Sequence, residues 1–361
     1  MDKIIKNILK QIENEGYEAY IVGGFVRDKL LKINTYDVDI CTNALPVNLR
    51  NIFKITQKNN GYGGFNIKIK KYNIDITTYR KEIRYDNRKP VEVEYISSLF
   101  EDIKRRDFTI NSLCMDKNDN IIDLIGATED INKRIVRVIG DANEKFSQDP
   151  LRMLRAIRFA TILNFNIEQN TYKSLCLNSK LTSSLSGARI KEELSKILSS
   201  KNYQVGLDLL KETNVSNNIN LKFDKVKYTD DLMGMWAQII CDKLPFSKTE
   251  LDNISRISQI IKKGSIDEFD LFNNGLYLCL VAGQILEIPR QDITKIFNKM
   301  PIKSMKSIEI NGEEIIKLLK IKPCKRISEI INDVKNRILA KELKNNKTEI
   351  KKYILEKWQN G

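Results

Sequence analysis

Two carboxylates stand two residues apart in the segment TYDVDI. If Asp37 and Asp39 lie on an extended strand, their side chains project from one face, while Val38 and Ile40 point to the opposite face and into a core. Two adjacent carboxylates repel each other unless a cation lies between them. Hard oxygen ligands suit Mg²⁺, which in proteins takes one or two carboxylates together with substrate phosphates. The pair therefore predicts a Mg²⁺ site.

The segment before this pair contains residue types that bind phosphate. Gly23 and Gly24 follow the apolar run YIV and precede an amphipathic stretch, so their bare backbone N–H groups would face an anion at the start of a helix. Arg27 falls one helical turn later, where its guanidinium could bind a phosphate oxygen. A simple tight turn and a solvated strand edge are the alternative interpretations of the glycines and of the acidic pair.

These side chains need a strand, a glycine turn, a helix, a loop and a second strand between Tyr20 and Asp39. The pattern then predicts a helix over 44–54 and two strands over 63–80, joined near Lys70. Asp75 alternates with Ile74 and Ile76 on the second of these strands. It is either a third carboxylate of the metal site or the partner of a nearby lysine.

The order GGFVRD followed by DVDI resembles the head signature of the polymerase-β-like nucleotidyltransferases, in the branch that contains tRNA nucleotidyltransferases and bacterial poly(A) polymerases. RRDFTIN, at 105–111, resembles the second signature of the tRNA nucleotidyltransferases. That resemblance implies that Arg106 is a nucleotide ligand, and a salt bridge to Asp102 or Asp107 is the alternative. The pattern over 101–116 predicts a turn at these basic residues and then a helix.

The stretch SQDPLRMLRAIRF predicts a helix with Pro150 at its first position. Its arginines recur every third residue and form one ridge, and the alternative is a helix cap followed by a solvated face. In the family that this string resembles, the Asp and the first Arg recognise the incoming base, which implies that role for Asp149 and Arg152. Arg155 and Arg158 would then support the base or the triphosphate.

The sequence departs from the family pattern at three positions, where Gln148 replaces a glutamate, Ala188 replaces an acidic residue and Cys324 replaces a glycine. The segment 80–90, RKEIRYDNRKP, resembles a mobile loop between strands in tRNA nucleotidyltransferases. It is full length here, with Glu82, Arg84, Tyr85 and Arg88 present, which favours addition of the whole CCA sequence. Addition of CC alone or of A alone stays open.

The composition agrees with an RNA partner. The chain of 361 residues carries a net charge of +14, and residues 301–361 hold 15 Lys and Arg against 8 Asp and Glu. A genome-wide bias toward lysine codons is the alternative explanation. The chain has no histidine, which excludes histidine-based nucleophilic catalysis and histidine-ligated metals. Six scattered cysteines, the absence of a long apolar run and the lack of a leader pattern predict a cytoplasmic protein with no membrane contact.

The expected fold is α+β. A mixed-sheet nucleotidyltransferase head (1–140) precedes a helical neck with the base-recognising helix (141–215), a helical body (216–300) and a basic tRNA-binding tail (301–361). The resemblance implies Mg²⁺-dependent addition of CCA to tRNA that lacks it, from CTP and ATP with release of pyrophosphate, by two metal ions on Asp37 and Asp39 in a monomer or weak dimer. A poly(A) polymerase and an RNA-binding module without catalysis are the alternative hypotheses.

Overall fold

The structure is a computed structural model that describes residues 2–54, 64–86, 89–242 and 244–359. The chain divides into two compact units. The first comprises residues 1–222 with 241–245, and the second comprises residues 223–240 with 246–361. The first unit begins with α1 (Lys3–Asn14), β1 (Ala19–Val22), α2 (Gly24–Leu30), β2 (Asp37–Thr42), α3 (Pro46–Phe53), β3 (Gly64–Ile69), β4 (Tyr72–Thr78), β5 (Arg80–Asp86), β6 (Lys89–Tyr95), α4 (Leu99–Lys104), β7 (Cys114–Met115) and β8 (Ile121–Ile122).

The first unit then becomes almost wholly helical, as the sequence predicts, except for two short strands. Its remaining elements are α5 (Ala127–Lys133), β9 (Ile135–Val136), α6 (Ala142–Gln148), α7 (Leu151–Leu163), β10 (Asn166–Ile167), α8 (Gln169–Asn178), α9 (Gly187–Leu198), α10 (Tyr203–Glu212) and α11 (Val215–Asn218). The strands β9 and β10 pair in parallel. The chain is thus an α+β protein with a mixed-sheet head, and this part of the prediction is confirmed.

The head is a six-stranded mixed sheet in the order β3-β4-β2-β1-β7-β8. Strand β2 lies between β1, which is antiparallel to it, and β4, which is parallel to it. Along β2, Val38 and Ile40 are buried, whereas Asp37 and Asp39 are exposed on the opposite face. The alternation of apolar and acidic residues therefore sets the orientation of the predicted metal ligands, as expected.

The predicted loop over 80–90 is wrong at residues 80–86 and 89–90, which belong to strands. Residues 80–86 form β5, which pairs with β6 in a separate antiparallel hairpin. The pairing Arg80↔Tyr95 gives this polar segment a cross-strand partner, which the local sequence cannot reveal. Arg88 and the side chains of Arg84 and Tyr85 lie outside the described part of the chain.

The second unit is helical in its described residues. Its helices are α12 (Leu232–Trp236), α13 (Lys248–Lys263), α14 (Glu268–Leu286), α15 (Arg290–Lys299), α16 (Gly312–Leu319), α17 (Lys325–Leu339) and α18 (Lys347–Trp358). One hydrophobic cluster runs from Ile257 to Ile354, so helices on both sides of residue 300 share a core. Across the described ranges, the helices are too short or too polar to cross a bilayer.

Candidate active site

A cleft of about 430 Å³ opens on the exposed face of β2 in the first unit. This volume falls within the range of small-molecule sites. It is lined by Gly23, Gly24, Arg27, Asp39, Glu82, Arg105, Arg106, Asp107, Asn111, Asp149, Leu151, Arg152, Arg155 and Phe159. Eight of the ten residues predicted from the sequence therefore meet in one cavity, although they come from segments separated by more than a hundred residues.

The floor of the cleft is acidic. Asp39 pairs in register with Asp75 on β4, and Asp37 lies two residues away on the same face. The Asp39 side chain reaches solvent, but surrounding protein atoms remove part of its hydration, and this desolvation raises its pKa above 3.8. The positive charge of Arg106 opposes the shift, whereas the negative charges of Asp75 and Asp37 add to it. Asn66 donates a hydrogen bond of 2.9 Å to Asp75. The three carboxylates therefore share one acidic surface.

The described residues contain no group of three His, Cys, Asp or Glu side chains close enough together to hold a metal ion. Asp37 lies at the first position of β2 and outside the lining of the cleft. A metal ion at this surface would therefore be held by Asp37 and Asp39 together with ligands from a bound substrate, which is the ligand set that Mg²⁺ takes with phosphates.

The glycine turn lies directly against Asp39. Gly23 immediately precedes α2. Its φ of 82° and ψ of −140° form a backbone conformation that residues with a Cβ rarely adopt. A Cβ added at Gly23 would lie 3.2 Å from Asp39 Oδ2. The backbone conformation therefore favours glycine, and any side chain at this position would press on the Asp39 carboxylate.

Arg27 is buried in the wall of the cleft. Its Nε donates to Asp28 Oδ1 at 2.8 Å, and its Nη1 donates to Asn111 Oδ1 at 2.6 Å. The guanidinium carbon lies 5.3 Å from the centre of the Phe159 ring. The guanidinium group is therefore fixed on two edges, with part of its hydrogen-bonding capacity left for a ligand.

Arg106 combines the two alternatives that the sequence leaves open. Its Nη2 donates at 3.0 Å to Asp102, which is fully buried, and the pKa of Asp102 stays below its ordinary value because Arg106 and Arg105 outweigh the effect of burial. Arg106 also lines the cleft. Its buried Nε has no hydrogen-bond partner within the described ranges. Arg106 therefore forms the predicted salt bridge with Asp102, and this salt bridge orients its guanidinium group beside the cleft.

The helix predicted after Asp107 is wrong. The chain forms only a single 3₁₀ turn over Thr109–Asn111, and the neighbouring helix α4 ends before the basic residues. Phe108 bridges to Val138, and Thr109 Oγ1 donates to Asp130 Oδ2 at 2.7 Å. These contacts with a later segment hold the backbone out of a helix.

A partly buried hydrogen-bonded chain links this turn to α7. Asn111 Nδ2 donates to Asp107 Oδ1 at 3.2 Å, and Arg155 Nε donates to Asp107 Oδ2 at 2.8 Å. Although burial opposes it, the Arg155 guanidinium lowers the pKa of Asp107 to about 2. Asp107 is therefore a carboxylate at neutral pH, and Arg155 is largely neutralised by it.

Asp149 and Arg152 lie where α6 ends and α7 begins. Asp149 Oδ1 accepts a hydrogen bond of 3.1 Å from Leu151 N, so Asp149 has a capping contact as well as a place in the cleft. Arg152 is only 8% exposed, and its Nη1 donates to Lys145 O at 3.0 Å and to Gln148 Oε1 at 3.3 Å. Gln148 therefore provides a neutral acceptor for Arg152 at the position where the family carries a glutamate.

The alternative of a solvated arginine face is wrong for α7. Arg158 is 7% exposed, donates to Glu193 Oε1 on α9 at 3.0 Å, and does not line the cleft. Its guanidinium carbon lies 4.3 Å from the centre of the Phe159 ring, and that of Arg155 lies 5.5 Å from it. Arg158 thus packs behind the cleft wall, where any effect on a ligand would pass through Phe159 or Arg155.

Six residues that line the cleft were not among the predicted site residues, namely Glu82, Arg105, Asp107, Asn111, Leu151 and Phe159. Asn111 closes the RRDFTIN string, so its position in that signature was an available signal. Arg105 and Asp107 lie in the same string, and Leu151 and Phe159 lie in SQDPLRMLRAIRF. Glu82 had no such signal for the cleft, because it meets Arg105 through the contact between β5 and the residue after α4.

The cleft contains five arginines and four carboxylates, with the acidic residue Asp39 at one side and Asp149 at another. Such a site suits an elongated anion that carries a cation at one end and a polar planar group at the other. A nucleoside triphosphate has this form.

Family models match most of the chain. Residues 19–137 match the poly A polymerase head domain, residues 164–225 match the model named "Probable RNA and SrmB- binding site of polymerase A", and residues 230–354 match tRNA nucleotidyltransferase domain 2.

Curated relatives and a solved structure cover nearly the whole chain. A CCA-adding enzyme of Ligilactobacillus salivarius is 33% identical over 94% of this chain and 93% of its own length. One from Staphylococcus haemolyticus is 31% identical over 97% of each chain. The crystal structure of the Bacillus stearothermophilus CCA-adding enzyme in complex with CTP superposes with a TM-score of 0.84 at 26% identity, covering 99% of this chain and 98% of that one.

Proposed function

The chain belongs to the family of CCA-adding enzymes, and we propose on that basis that it adds cytidine and adenosine nucleotides, from CTP and ATP, to tRNA that lacks part or all of its 3′ CCA. One observation carries the assignment to this cleft. Asp39, Arg27 and the pair Asp149 and Arg152 line one cavity of nucleotide size. They supply a metal ligand, a phosphate ligand and a hydrogen-bonding pair for a base.

The acidic surface fits a divalent cation, which we propose to be Mg²⁺ held by Asp37 and Asp39. The raised pKa of Asp39 supports this assignment, because desolvation first, and Asp75 and Asp37 to a smaller extent, disfavour its charged form when no cation is bound. A divalent cation bound there supplies charge that favours ionisation of an attacking hydroxyl and stabilises a leaving pyrophosphate. Asp75 would act by adding negative charge beside Asp39.

The triphosphate would lie between the glycine turn and the arginines. Gly23 and Gly24 allow close approach of phosphate oxygens to the backbone, since Gly24 has only Arg27 Nη2 near the position of a Cβ, at 3.5 Å. Arg27 would donate from the edges that Asp28 and Asn111 leave open. Arg106 would place a further positive charge beside Asp39.

Asp149 and Arg152 would recognise the base. Cytosine and adenine each present an amino donor next to a ring-nitrogen acceptor, whereas uracil and guanine present a carbonyl next to a ring N–H. Asp149 would accept from the amino group, and Arg152 would donate to the ring nitrogen through nitrogens other than the Nη1 held by Lys145 O. Arg155 and Arg158 would support this helix, with Arg158 acting through its packing on Phe159.

The remaining assignments concern the rest of the chain. We propose that residues 1–140 form the catalytic head, 141–215 the neck, 216–300 the body and 301–361 a basic tail that contacts tRNA, although the body and tail helices share a core. The proposed substrates, tRNA and nucleoside triphosphates, are found in the cytoplasm. We therefore propose that the protein acts in the cytoplasm.

The experiment is incubation of the protein and Mg²⁺ with tRNA that lacks its last three nucleotides, with each NTP alone and in pairs, followed by sizing on a gel. We expect two added residues with CTP alone and three with CTP and ATP. A long ladder with ATP alone would instead indicate poly(A) synthesis. Binding of tRNA without extension would indicate an RNA-binding module, and accumulation of CC ends with both nucleotides would indicate a CC-adding enzyme.

A further inference from the structure

We propose that Asn111 is a positioning residue, which holds the Arg27 guanidinium toward the triphosphate and links it to the base-recognising helix α7. The inference rests on the proposed function, because it takes Arg27 as a triphosphate ligand. Asn111 is 8% exposed and Arg27 is 7% exposed, so their contact lies in the wall of the cleft and is shielded from water. Shielding makes the loss of a hydrogen bond there costly.

The two ends of the Asn111 carboxamide face opposite charges. Oδ1 accepts from Arg27 Nη1 at 2.6 Å, while Nδ2 donates to Asp107 Oδ1 at 3.2 Å. The opposite orientation of the amide would place its NH₂ group against a guanidinium and its oxygen against a carboxylate. The surroundings therefore fix the orientation of the carboxamide.

Other side chains cannot meet both requirements at this position. An aspartate would keep the acceptor for Arg27 but would place a second carboxylate against Asp107, which is already ionised because its pKa is lowered to about 2. An alanine would leave Arg27 Nη1 and the Asp107 oxygen without these partners. The amide is thus the neutral group that joins a buried cation to a partly buried anion.

The link continues to α7. Asp107 Oδ2 accepts from Arg155, which lies one helical turn after Arg152. The sequence of contacts is therefore Arg27, Asn111, Asp107 and Arg155, and it joins the proposed phosphate ligand on α2 to the helix that carries Arg152.

Without Asn111, Arg27 retains Asp28 as its hydrogen-bond partner among the described residues. Asp28 is the next residue of α2 and contacts Nε and Nη2, so it leaves Nη1 unrestrained. The guanidinium could then rotate about its contact with Asp28, and its open edge would no longer be directed into the cleft.

The test measures binding of inorganic triphosphate to the full-length protein in Mg²⁺, without tRNA, by titration calorimetry. The variants are Arg27→Leu, Asn111→Ala and the double variant. We expect Arg27→Leu and Asn111→Ala each to raise the Kd about tenfold or more, the size expected for a hydrogen bond to a charged group. Because Asn111 acts through Arg27, the double variant should bind no more weakly than Arg27→Leu alone.

Asn202→Ala is the matched control, because Asn202 Nδ2 donates to the Thr161 carbonyl at 3.2 Å away from the cleft. It should leave the Kd unchanged. Asn111→Ser replaces Asn111→Ala if the latter does not fold, since its hydroxyl can still bond to Asp107. A normal Kd in the Asn111 variant, or additive effects in the double variant, would overturn the inference.

Steady-state kinetics add a readout that simple destabilisation does not change. Asn111→Ala should raise the KM for CTP more than it lowers kcat, whereas loss of folded protein lowers kcat alone. The two proposals fail separately. Wild-type protein that binds triphosphate through Arg27 and Asn111 but does not extend tRNA would remove the proposed function only, and a normal Kd for Arg27→Leu would remove the inference.

Discussion

Gly23 and Asp39 lie close together beside the pairing of β1 with β2, since a Cβ at Gly23 would lie 3.2 Å from Asp39 Oδ2. The glycine turn and the acidic strand are therefore a single structural unit. Gly23 also has a φ of 82°, a backbone conformation that residues with a Cβ rarely adopt.

Gly23→Ala should lower the rate of nucleotide addition by at least about tenfold, because the added methyl displaces a carboxylate that the chemistry requires. Backbone strain of about 1–3 kcal/mol should also lower the Tm. Gly275→Ala is the control. Gly275 has φ 77° and ψ 165° but open space around it, so this variant should lose stability and keep its activity. Equal losses of activity in the two variants would mean that backbone strain alone, rather than displacement of Asp39, lowers the rate.

Asp39→Asn should lower the rate of nucleotide addition about a hundredfold or more, and it should raise the stability of the fold at neutral pH. The folded pKa of Asp39 lies above 3.8, so the folded state binds this proton more readily than the unfolded chain and loses stability as the pH rises through that window. The Tm difference between Asp39→Asn and wild type, measured without metal, should be near zero at pH 3 and positive at pH 7.

Asp107→Asn should show the opposite pH dependence. The pKa of Asp107 is lowered to about 2 by Arg155, so its charge stabilises the fold above the ordinary value of 3.8, and this stabilisation is lost as the pH falls toward 2. The variant should be less stable than wild type at pH 7, and the difference should shrink in acid. Thermal unfolding from pH 2 to pH 7 tests this, and a variant of wild-type stability at pH 7 would contradict it.

Local patterns predicted much of the fold and of the site. The alternation in DVDI correctly predicted that Asp37 and Asp39 lie on one face of β2. The spacing of three residues between Arg152, Arg155 and Arg158 correctly predicted that they lie on one helix. Both inferences depend only on the geometry of a single element, which the sequence determines directly.

The errors have a common physical cause. Arg158 pairs with Glu193, 35 residues later, and Arg155 pairs with Asp107, 48 residues earlier. A periodic pattern shows that arginines share a face but does not show what covers that face. The same limit made residues 80–86 appear to be a loop, because their partner strand supplies the evidence for a strand.

The basic tail should contact tRNA through lysines that form no ion pair within the described part of the chain. Lys320, Lys322 and Lys325 are exposed near the connection between α16 and α17, and they form no ion pair with other residues in the described ranges. Replacing the three lysines with glutamine should raise the KM for tRNA. The slope of log KM against log salt concentration should also fall, by up to about 0.7–0.9 for each phosphate contact that is lost. The KM for CTP should not change.

A second triple variant controls for net charge. Lys341, Lys344 and Lys352 pair with Glu268, Glu349 and Glu356, so their replacement by glutamine removes the same charge from lysines that are already partnered. The salt slope of this control should stay closer to that of wild type. Equal slopes in both triple variants would mean that overall charge, rather than the unpaired lysines, attracts the tRNA.

Base selection can be separated from helix capping at Asp149. Asp149→Asn keeps the oxygen that accepts from Leu151 N, but it replaces the other carboxylate oxygen with an NH₂ group that can donate to the carbonyl of uracil. We therefore expect the preference for CTP over UTP to fall by about 10- to 100-fold, which corresponds to about 1–3 kcal/mol for a bidentate contact. Single-nucleotide addition to tRNA with each NTP measures the ratio.

Two further variants show whether that change concerns the base. Asp149→Ala removes the cap as well, so it should lower kcat/KM for all nucleotides without admitting UTP. Asp141→Asn changes an equivalent cap at the start of α6, where Oδ1 accepts from Glu144 N at 2.8 Å outside the cleft, and it should leave the ratio unchanged. If Asp149→Asn keeps the wild-type preference, Asp149 is a capping residue only. Recognition of the base would then depend on Arg152, which Lys145 and Gln148 already hold in the cleft.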